Sequence, residues 1–256
     1  MSNNFMEVIK YIKDVPFSVL ITNGTLLNEV NISEMINCGL SRLFISIDGA
    51  KKETFERIRR GANFEKVLSN IKLVNKIKNN FSSLKPEICF MTTLMKSNIE
   101  ELPCIVKLAS EMDVKRICCK PVQIVFPELE KEALETCKDL SVKYFNQAKS
   151  LAEEFNIQLE TSADFLKLVS NKKDVSEELK VAENNIKRIC GEHPPILFIS
   201  PDGLVKPCTL WKERYIGDFK IQNFWEIWEG GDFKKLRLEI ESGNFSDNCL
   251  KCRYLI

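Results

Sequence analysis

Two pairs of cysteines carry the most visible chemistry in this chain. Cys190-x12-Gly203-x4-Cys208 sits on a segment that reads as a β-hairpin, and Cys249-x2-Cys252 follows two short helical patterns. Thiolate pairs held by turns ligate soft metals, as iron–sulfur clusters or as zinc, and the spacing leaves both open. The other six cysteines, Cys38, Cys89, Cys104, Cys118, Cys119 and Cys137, lie in apolar-periodic segments and read mostly as buried core thiols. A disulfide framework is a poor account of ten cysteines in 256 residues, because a chain this long buries a core without staples.

A second group of polar residues stands where short apolar runs end. Phe17–Ile21 reads as a strand running into Thr22-Asn23-Gly24, and Leu43–Ile47 as a strand ending at Asp48-Gly49. Ile88–Leu94 and Val114–Cys119 are two further strands, and a short one lies near Ile157–Leu159. Between them come helical stripes: Ile32, Met35 and Ile36, closed by Gly39; Phe64, Val67, Leu68, Ile71, Val74 and Ile77; and Ala133 through Phe155. Ser97-x-x-Glu100 has the form of a capping box for a helix through Met112. Alternation of this kind predicts parallel strands with helical crossovers, and ligands gather at the carboxyl ends of such strands. Asn23, Ser46, Asp48, Asn98 and Lys120 are the polar groups at or just past those ends.

Composition narrows the remaining choices. A net charge of +1 gives no electrostatic case for a nucleic-acid or membrane partner, and no apolar run approaches the ~20 residues of a membrane span. The opening MSNNFMEVIKYIKD is an amphipathic helical pattern without the apolar stretch of a signal peptide, so a cytoplasmic location is the expectation. His193 is the single histidine and sits in a turn, which removes serine–histidine and histidine-rich zinc sites. Trp211, Trp225 and Trp228 read as packing rather than nucleotide stacking, and the lysine-rich stretch 72–85 as a solvated helix face.

The order of these segments resembles one family. ITNGTLL (21–27), FISIDGAKKETFERIRRGANFEKVLSNI (44–71) and MTTLMKSNIEEL (91–102) resemble the third, fourth and fifth βα units of a radical S-adenosylmethionine (SAM) enzyme. CGEHPPILFISPDGLVKPC (190–208), the FWEIW and DFKKLR helices and CLKC resemble the SPASM domain. The resemblance implies an α/β fold: a partial parallel (βα) barrel over residues 1–160, a linker over 161–188 and a truncated SPASM domain over 189–256. It implies SAM contacts from Thr22, Asn23, Ser46, Arg59 and Asn98, with Arg59 at the SAM carboxylate, and an auxiliary 4Fe–4S cluster on Cys190, Cys208, Cys249 and Cys252. Thr209 stands where sulfatase-maturing members carry an acidic base, so that activity is not implied.

The parent activity so implied is SAM-dependent radical modification of a peptide or protein. No C-x3-C-x2-C spacing, which the family uses for the cluster that cleaves SAM, occurs in the sequence. The chain reads as truncated at both ends, so the expectation is a protein incomplete on its own, completed by a separately encoded N-terminal half. Two alternatives stand beside it: a non-catalytic iron–sulfur or zinc-binding module, and an inert fragment of a split gene. A barrel lacking its first strands also predicts an exposed edge at Phe17–Ile21, with Val19, Ile21, Ile45 and Ile47 unpacked on the inner face, and hence self-association.

Overall fold

The computed structural model describes residues 9–10, 13, 16–124, 126–170, 197–200, 202–208, 215–245 and 247–250. Cys190, His193, Thr209, Trp211 and Cys252 lie outside the described residues. The chain divides into two compact units, Met1–Asp174 and Val175–Ile256.

The first unit alternates strand and helix throughout. Its strands are β1 (Val19–Thr22), β2 (Arg42–Ser46), β3 (Glu87–Leu94), β4 (Arg116–Pro121) and β5 (Gln158–Thr161). The helices between and after them are α1 (Glu29–Asn37), α2 (Lys52–Ile58), α3 (Phe64–Asn80), α4 (Leu102–Glu111), α5 (Lys138–Glu154) and α6 (Ala163–Val169). All neighbouring strands pair in parallel, in sequential order β1-β2-β3-β4-β5. An order without reversal keeps the crossovers on one side of the sheet, as in a barrel wall, and leaves the opposite face open only in lacking crossover helices, since Phe44, Ser46 and Cys89 on it are buried.

Local chemistry explains the boundaries. Asn28 and Asn31 form a reciprocal capping box at the start of α1, and Gly39, at φ 72°, follows its end. Asn63 caps α3 through its side chain. The capping box expected at Ser97 and Glu100 does not form. A 3-10 turn (Ile99–Glu101) leads into α4, Pro103 occupies the first turn, and the Asn98 amide is used elsewhere.

Strand pairing sorts side chains onto two faces. Leu43, Ile45, Ile47, Ile88, Phe90, Leu94, Ile117 and Cys119 pack with Val67, Ile71 and Val74 of α3 and Ile105, Val106 and Ala109 of α4 in one apolar core. Each buried Val, Leu, Ile or Phe among them contributes roughly 1.5–3 kcal/mol. The other face carries Arg42, Phe44, Ser46, Glu87, Cys89, Met91, Arg116, Cys118 and Glu160 in register across the strands. Near the strands' amino ends it bears a charged ladder. The Arg42 Nε donates to Glu87 at 2.7 Å, the Arg116 Nε to Glu87 at 2.9 Å, and Arg116 also donates to Glu160. Burial pushes the Glu87 carboxyl up, but the two arginine hydrogen bonds outweigh it and hold it below the ordinary carboxylate value.

β1 is the edge of this sheet, with Phe17, Val19 and Ile21 57%, 45% and 59% exposed. The expectation that Ile45 and Ile47 share that exposed face is corrected: both are fully buried in the helix-covered core. Ile21 pairs with Phe44, so Phe44, not Ile45, shares its face. Of the six cysteines read as core thiols, Cys38, Cys89, Cys119 and Cys137 are buried, Cys118 is half-buried, and Cys104 is exposed on α4.

In the second unit β6 (Phe198–Ile199) and β7 (Leu204–Lys206) form the expected hairpin, and β8 (Gly217–Asp218) adds a third antiparallel strand. Helices α7 (Phe224–Trp228), α8 (Gly231–Ser242) and α9 (Asp247–Leu250) follow. Val205, Ile216, Ile227, Phe233 and Leu236 make the small core. Gly217 is required there, because a Cβ at that position would stand 2.6 Å from Ile227. Trp228 packs on this core, whereas Trp225 is largely exposed and packs only in part, edge to face against the Phe224 ring at 5.1 Å. Among the described residues, no helix is long and apolar enough to cross a membrane.

Candidate functional site

The carboxyl ends of β1 and β2 converge on a cavity of about 370 Å³, lined by Asn23, Thr25, Asp48, Ile58, Arg59, Arg60, Gly61 and Ala62. Its first wall is the turn after β1. The Asn23 Oδ1 accepts from the Thr25 N–H at 3.1 Å and from the Thr25 hydroxyl at 2.9 Å, while the Thr22 hydroxyl oxygen accepts from the Gly24 N–H. Gly24 has φ +75°, and a Cβ there would lie 3.0 Å from Ile45 and 3.3 Å from Val67. The turn therefore needs glycine both for its backbone and for its closeness to the core.

The second wall is an ion pair at the end of β2. Asp48, 3% exposed, accepts from the Thr93 N–H at 2.7 Å through one oxygen and pairs with the Arg59 Nη2 at 2.8 Å through the other. Burial pushes its carboxyl up; the Thr93 hydrogen bond and the Arg59 charge pull it back without cancelling the rise. Arg59 ends the short helix α2, whose final turn closes with the Arg59 N–H donating to the Phe55 carbonyl at 2.8 Å. The Arg59 Nε is buried and has no hydrogen-bond partner. The rest of the Arg59 side chain, one-quarter exposed, lines the cavity and is the part of the guanidinium a ligand can meet.

Helix α2 is held from outside. Lys51, at its N-cap, makes no side-chain cap. The Glu101 carboxylate instead accepts from the Ala50 N–H at 2.8 Å, the Lys51 N–H at 3.1 Å and the Thr54 hydroxyl at 2.6 Å. Gly49 lets the chain pass close beneath, since a Cβ there would meet the Phe55 nitrogen at 2.8 Å.

The structure brings Asn23 and Arg59 together in the lining, with Asp48 between them. It places the other predicted residues outside that lining. The Thr22 hydroxyl serves the turn. Ser46 is buried at the end of β2, in a row with Met91, Cys118 and Glu160 on the open face. Asn98 is consumed by the scaffold: its Nδ2 donates to the Asp48 carbonyl at 2.9 Å and the Thr93 carbonyl at 2.8 Å, and its Oδ1 accepts from the Met95 N–H at 2.7 Å. Lys120 is exposed at the end of β4. Sequence reasoning passed over Thr25, Arg60, Gly61 and Ala62. Arg60-Gly61 directly after Arg59, which the resemblance places at the site, was the available signal.

In the second unit, Cys208 just past β7 and Cys249 in α9 both pack, partly buried, against the same small core. Cys190 and Cys252, their expected co-ligands, lie outside the described residues. Among the described residues no three Cys, His, Asp or Glu side chains converge as a metal site. Two thiols carried on one rigid core, from segments distant in sequence, are a donor set of the right softness for an iron–sulfur cluster.

Residues 2–109 match the model of the radical SAM superfamily, and residues 190–253 match that of SPASM, an iron–sulfur cluster-binding domain. An AdoMet-dependent heme synthase of Methanosarcina barkeri is 27% identical over 258 residues, covering 97% of this chain and 70% of that protein. The Fe-coproporphyrin III synthase of the same organism is 23% identical, covering 100% of this chain and 66% of that protein. Among solved structures, SuiB of Streptococcus suis bound to S-adenosylmethionine superposes with a TM-score of 0.64 at 13% identity, over 98% of this chain and 56% of SuiB. The chain thus spans little more than half of SuiB, and that likeness is one of fold. The family's cofactors are 4Fe–4S clusters and SAM. With a parallel sheet in barrel order, a cavity at its strand ends and a cysteine-bearing C-terminal unit, each matched by its own family model, this chain belongs to the radical SAM superfamily and carries a SPASM domain.

Proposed function

We propose that this chain supplies a SAM-binding wall and an auxiliary cluster site to SAM-dependent radical chemistry. One observation carries the reading: the Arg59 side chain, one-quarter exposed, lines a 370 Å³ cavity and is held through its Nη2 by the buried Asp48 carboxylate. An α-amino acid carboxylate, such as SAM presents, is the complement of such a guanidinium. Asp48 takes one amino group of Arg59 and fixes the plane of the fork, while Asn23 and Thr25 offer amide and hydroxyl contacts beside it. Ser46, on the open face below, is the further SAM contact the family resemblance assigns. Bound SAM, given an electron from a cluster, supplies the means to remove a hydrogen atom from a substrate; the residues here bind and orient. Cys190, Cys208, Cys249 and Cys252 would hold an auxiliary 4Fe–4S cluster in a cytoplasmic protein.

Two substrate classes have support. The heme and Fe-coproporphyrin III synthases, matched over nearly the whole chain, favour an iron porphyrin. The family resemblance favours a peptide or protein, the substrate class first expected, and SuiB, a likeness of fold, is solved with its precursor peptide SuiA. Calorimetric titration of anaerobically reconstituted protein with SAM, parent against Arg59→Ala, tests the cavity: binding lost in the variant supports it, and equal binding refutes it. Iron and sulfide incorporation unchanged when all four cysteines become alanine would sink the cluster assignment. Preferential retention of an iron porphyrin or of a peptide library by the reconstituted protein separates the substrates.

A further inference from the structure

The buried residues of α3 are Phe64, Val67, Ile71, Val74 and Ile77, with one polar exception, Asn70. Asn70 is 2% exposed in the middle of this apolar stripe. A carboxamide there is unfavourable unless its donors are used. Its Nδ2 donates to the Gly24 carbonyl at 2.7 Å and, more weakly, to the Thr25 carbonyl at 3.4 Å, across 46 and 45 residues of sequence.

Those carbonyls belong to the turn that forms the first wall of the cavity. The turn's other polar contacts, Thr22 to Gly24 and Asn23 to Thr25, run within the turn itself. They give it shape without tying Gly24 or Thr25 to the scaffold, while the Asn31 Nδ2 of α1 holds the following Leu26 carbonyl at 2.8 Å. Asn70 provides that tie from the helix packed behind the sheet. We propose that Asn70 is a positioning residue of the ligand site: it sets the height at which Asn23 and Thr25 stand against Arg59. The proposal deepens the SAM-site reading and rests on it for its functional half.

The same helix holds a control with the same kind of hydrogen bond, although Asn75 is half-buried where Asn70 is buried. The Asn75 Nδ2 donates to the Met112 carbonyl at 2.7 Å, just before β4 and therefore at the amino end of the parallel sheet, opposite the cavity. Asn70→Leu and Asn75→Leu each exchange a carboxamide on α3 for an apolar side chain of similar size. If Asn70 only stabilised the fold, its loss would speed exchange in the turn no more than elsewhere in the unit and would leave SAM binding unchanged. The test uses the full chain with two readouts: backbone hydrogen exchange over residues 22–27, and the SAM dissociation constant by calorimetry. Asn70→Leu should speed exchange in this turn and weaken SAM binding, each about tenfold, from the loss of one buried hydrogen bond. Asn75→Leu should change both by less than about twofold, outside the reach of that bond. Unchanged exchange in the turn of Asn70→Leu, or equal acceleration in both variants, overturns the proposal. Should the parent chain not bind SAM, the SAM-site reading fails while the exchange comparison still judges Asn70. Should Asn70→Leu not fold, Asn70→Ser, too short to reach Gly24, is read by the same criteria.

Discussion

Replacing Asp48 separates what an ion pair does for stability from what it does for geometry. Asp48→Asn keeps the size of the side chain and an oxygen for the Thr93 N–H, now at 2.7 Å, but removes the charge facing Arg59. Asp48→Leu removes both. Burial is the largest influence on the Asp48 carboxyl and leaves its pKa raised despite Thr93 and Arg59. A raised folded pKa means the group's contribution to stability is fully present below the ordinary carboxylate value of 3.8 and is lost as pH rises through the folded value. At pH 7 the ionised carboxylate thus gains little over a neutral isostere, and Asp48→Asn should lie within about 1 kcal/mol of the parent. Asp48→Leu strands the Thr93 N–H and deprives Arg59 of its counter-ion; with Arg59 one-quarter exposed to solvent, about 2–4 kcal/mol is expected. For a domain of this size, each kcal/mol moves the Tm by roughly 2–4 °C. Calorimetry of both variants between pH 4 and 7 is the assay, and as pH falls the parent should gain stability relative to Asp48→Asn. SAM affinity should nevertheless drop in Asp48→Asn, because nothing then fixes the Arg59 plane. An Asp48→Asn variant as unstable as Asp48→Leu at pH 7, or a pH slope of opposite sign, would refute the reasoning.

Three other outcomes are expected. Gly24→Ala should lose about 1–3 kcal/mol, because φ +75° strains any side chain and Ile45 stands 3.0 Å from the new carbon; urea denaturation measures it, and a neutral result would mean that the turn is built otherwise. Glu101→Ala should cost about 2–4 kcal/mol by freeing the Ala50 and Lys51 N–H groups and the Thr54 hydroxyl, with early hydrogen exchange in α2 as the local sign and an unchanged α2 as the contrary one. Alkylation at pH 8 should label exposed Cys104 well before Cys89 and Cys119, whose thiols burial pushes up to about 12; early labelling of either buried thiol counts against their placement.

The order of strands and helices was legible because each long segment repeats its apolar residues at one period. The parity of β2 was not. Arg42–Ser46 is buried on both faces, so Phe44 and Ile45 look alike in sequence, and only pairing with Ile21 and Cys89 assigns Phe44 to the open face. Helix α2 escaped for a related reason: its seven residues bury only Thr54 and Phe55, too few to show a period.

Within the site, legibility divides along a physical line. Asn23 and Asp48 stand directly beyond strand ends, where a polar residue after an apolar run is a local signal, whereas Arg59 was pointed to by the family resemblance alone. Asn70, Asn98 and Glu101 were either missed or given another role, because each acts on a partner 45 to 51 residues away. Asn98 resembles a ligand contact for the same reason that it makes a clamp: it is a polar side chain at the carboxyl end of a parallel strand. What separates the two roles is whether its donors remain within reach of a ligand. Both hydrogens of its amide are already given to the Asp48 and Thr93 carbonyls, while part of the Arg59 side chain stays exposed. Accessibility of that kind is a property of the folded chain alone, and the assignment of this cavity turns on the exposed quarter of the Arg59 side chain at its lining.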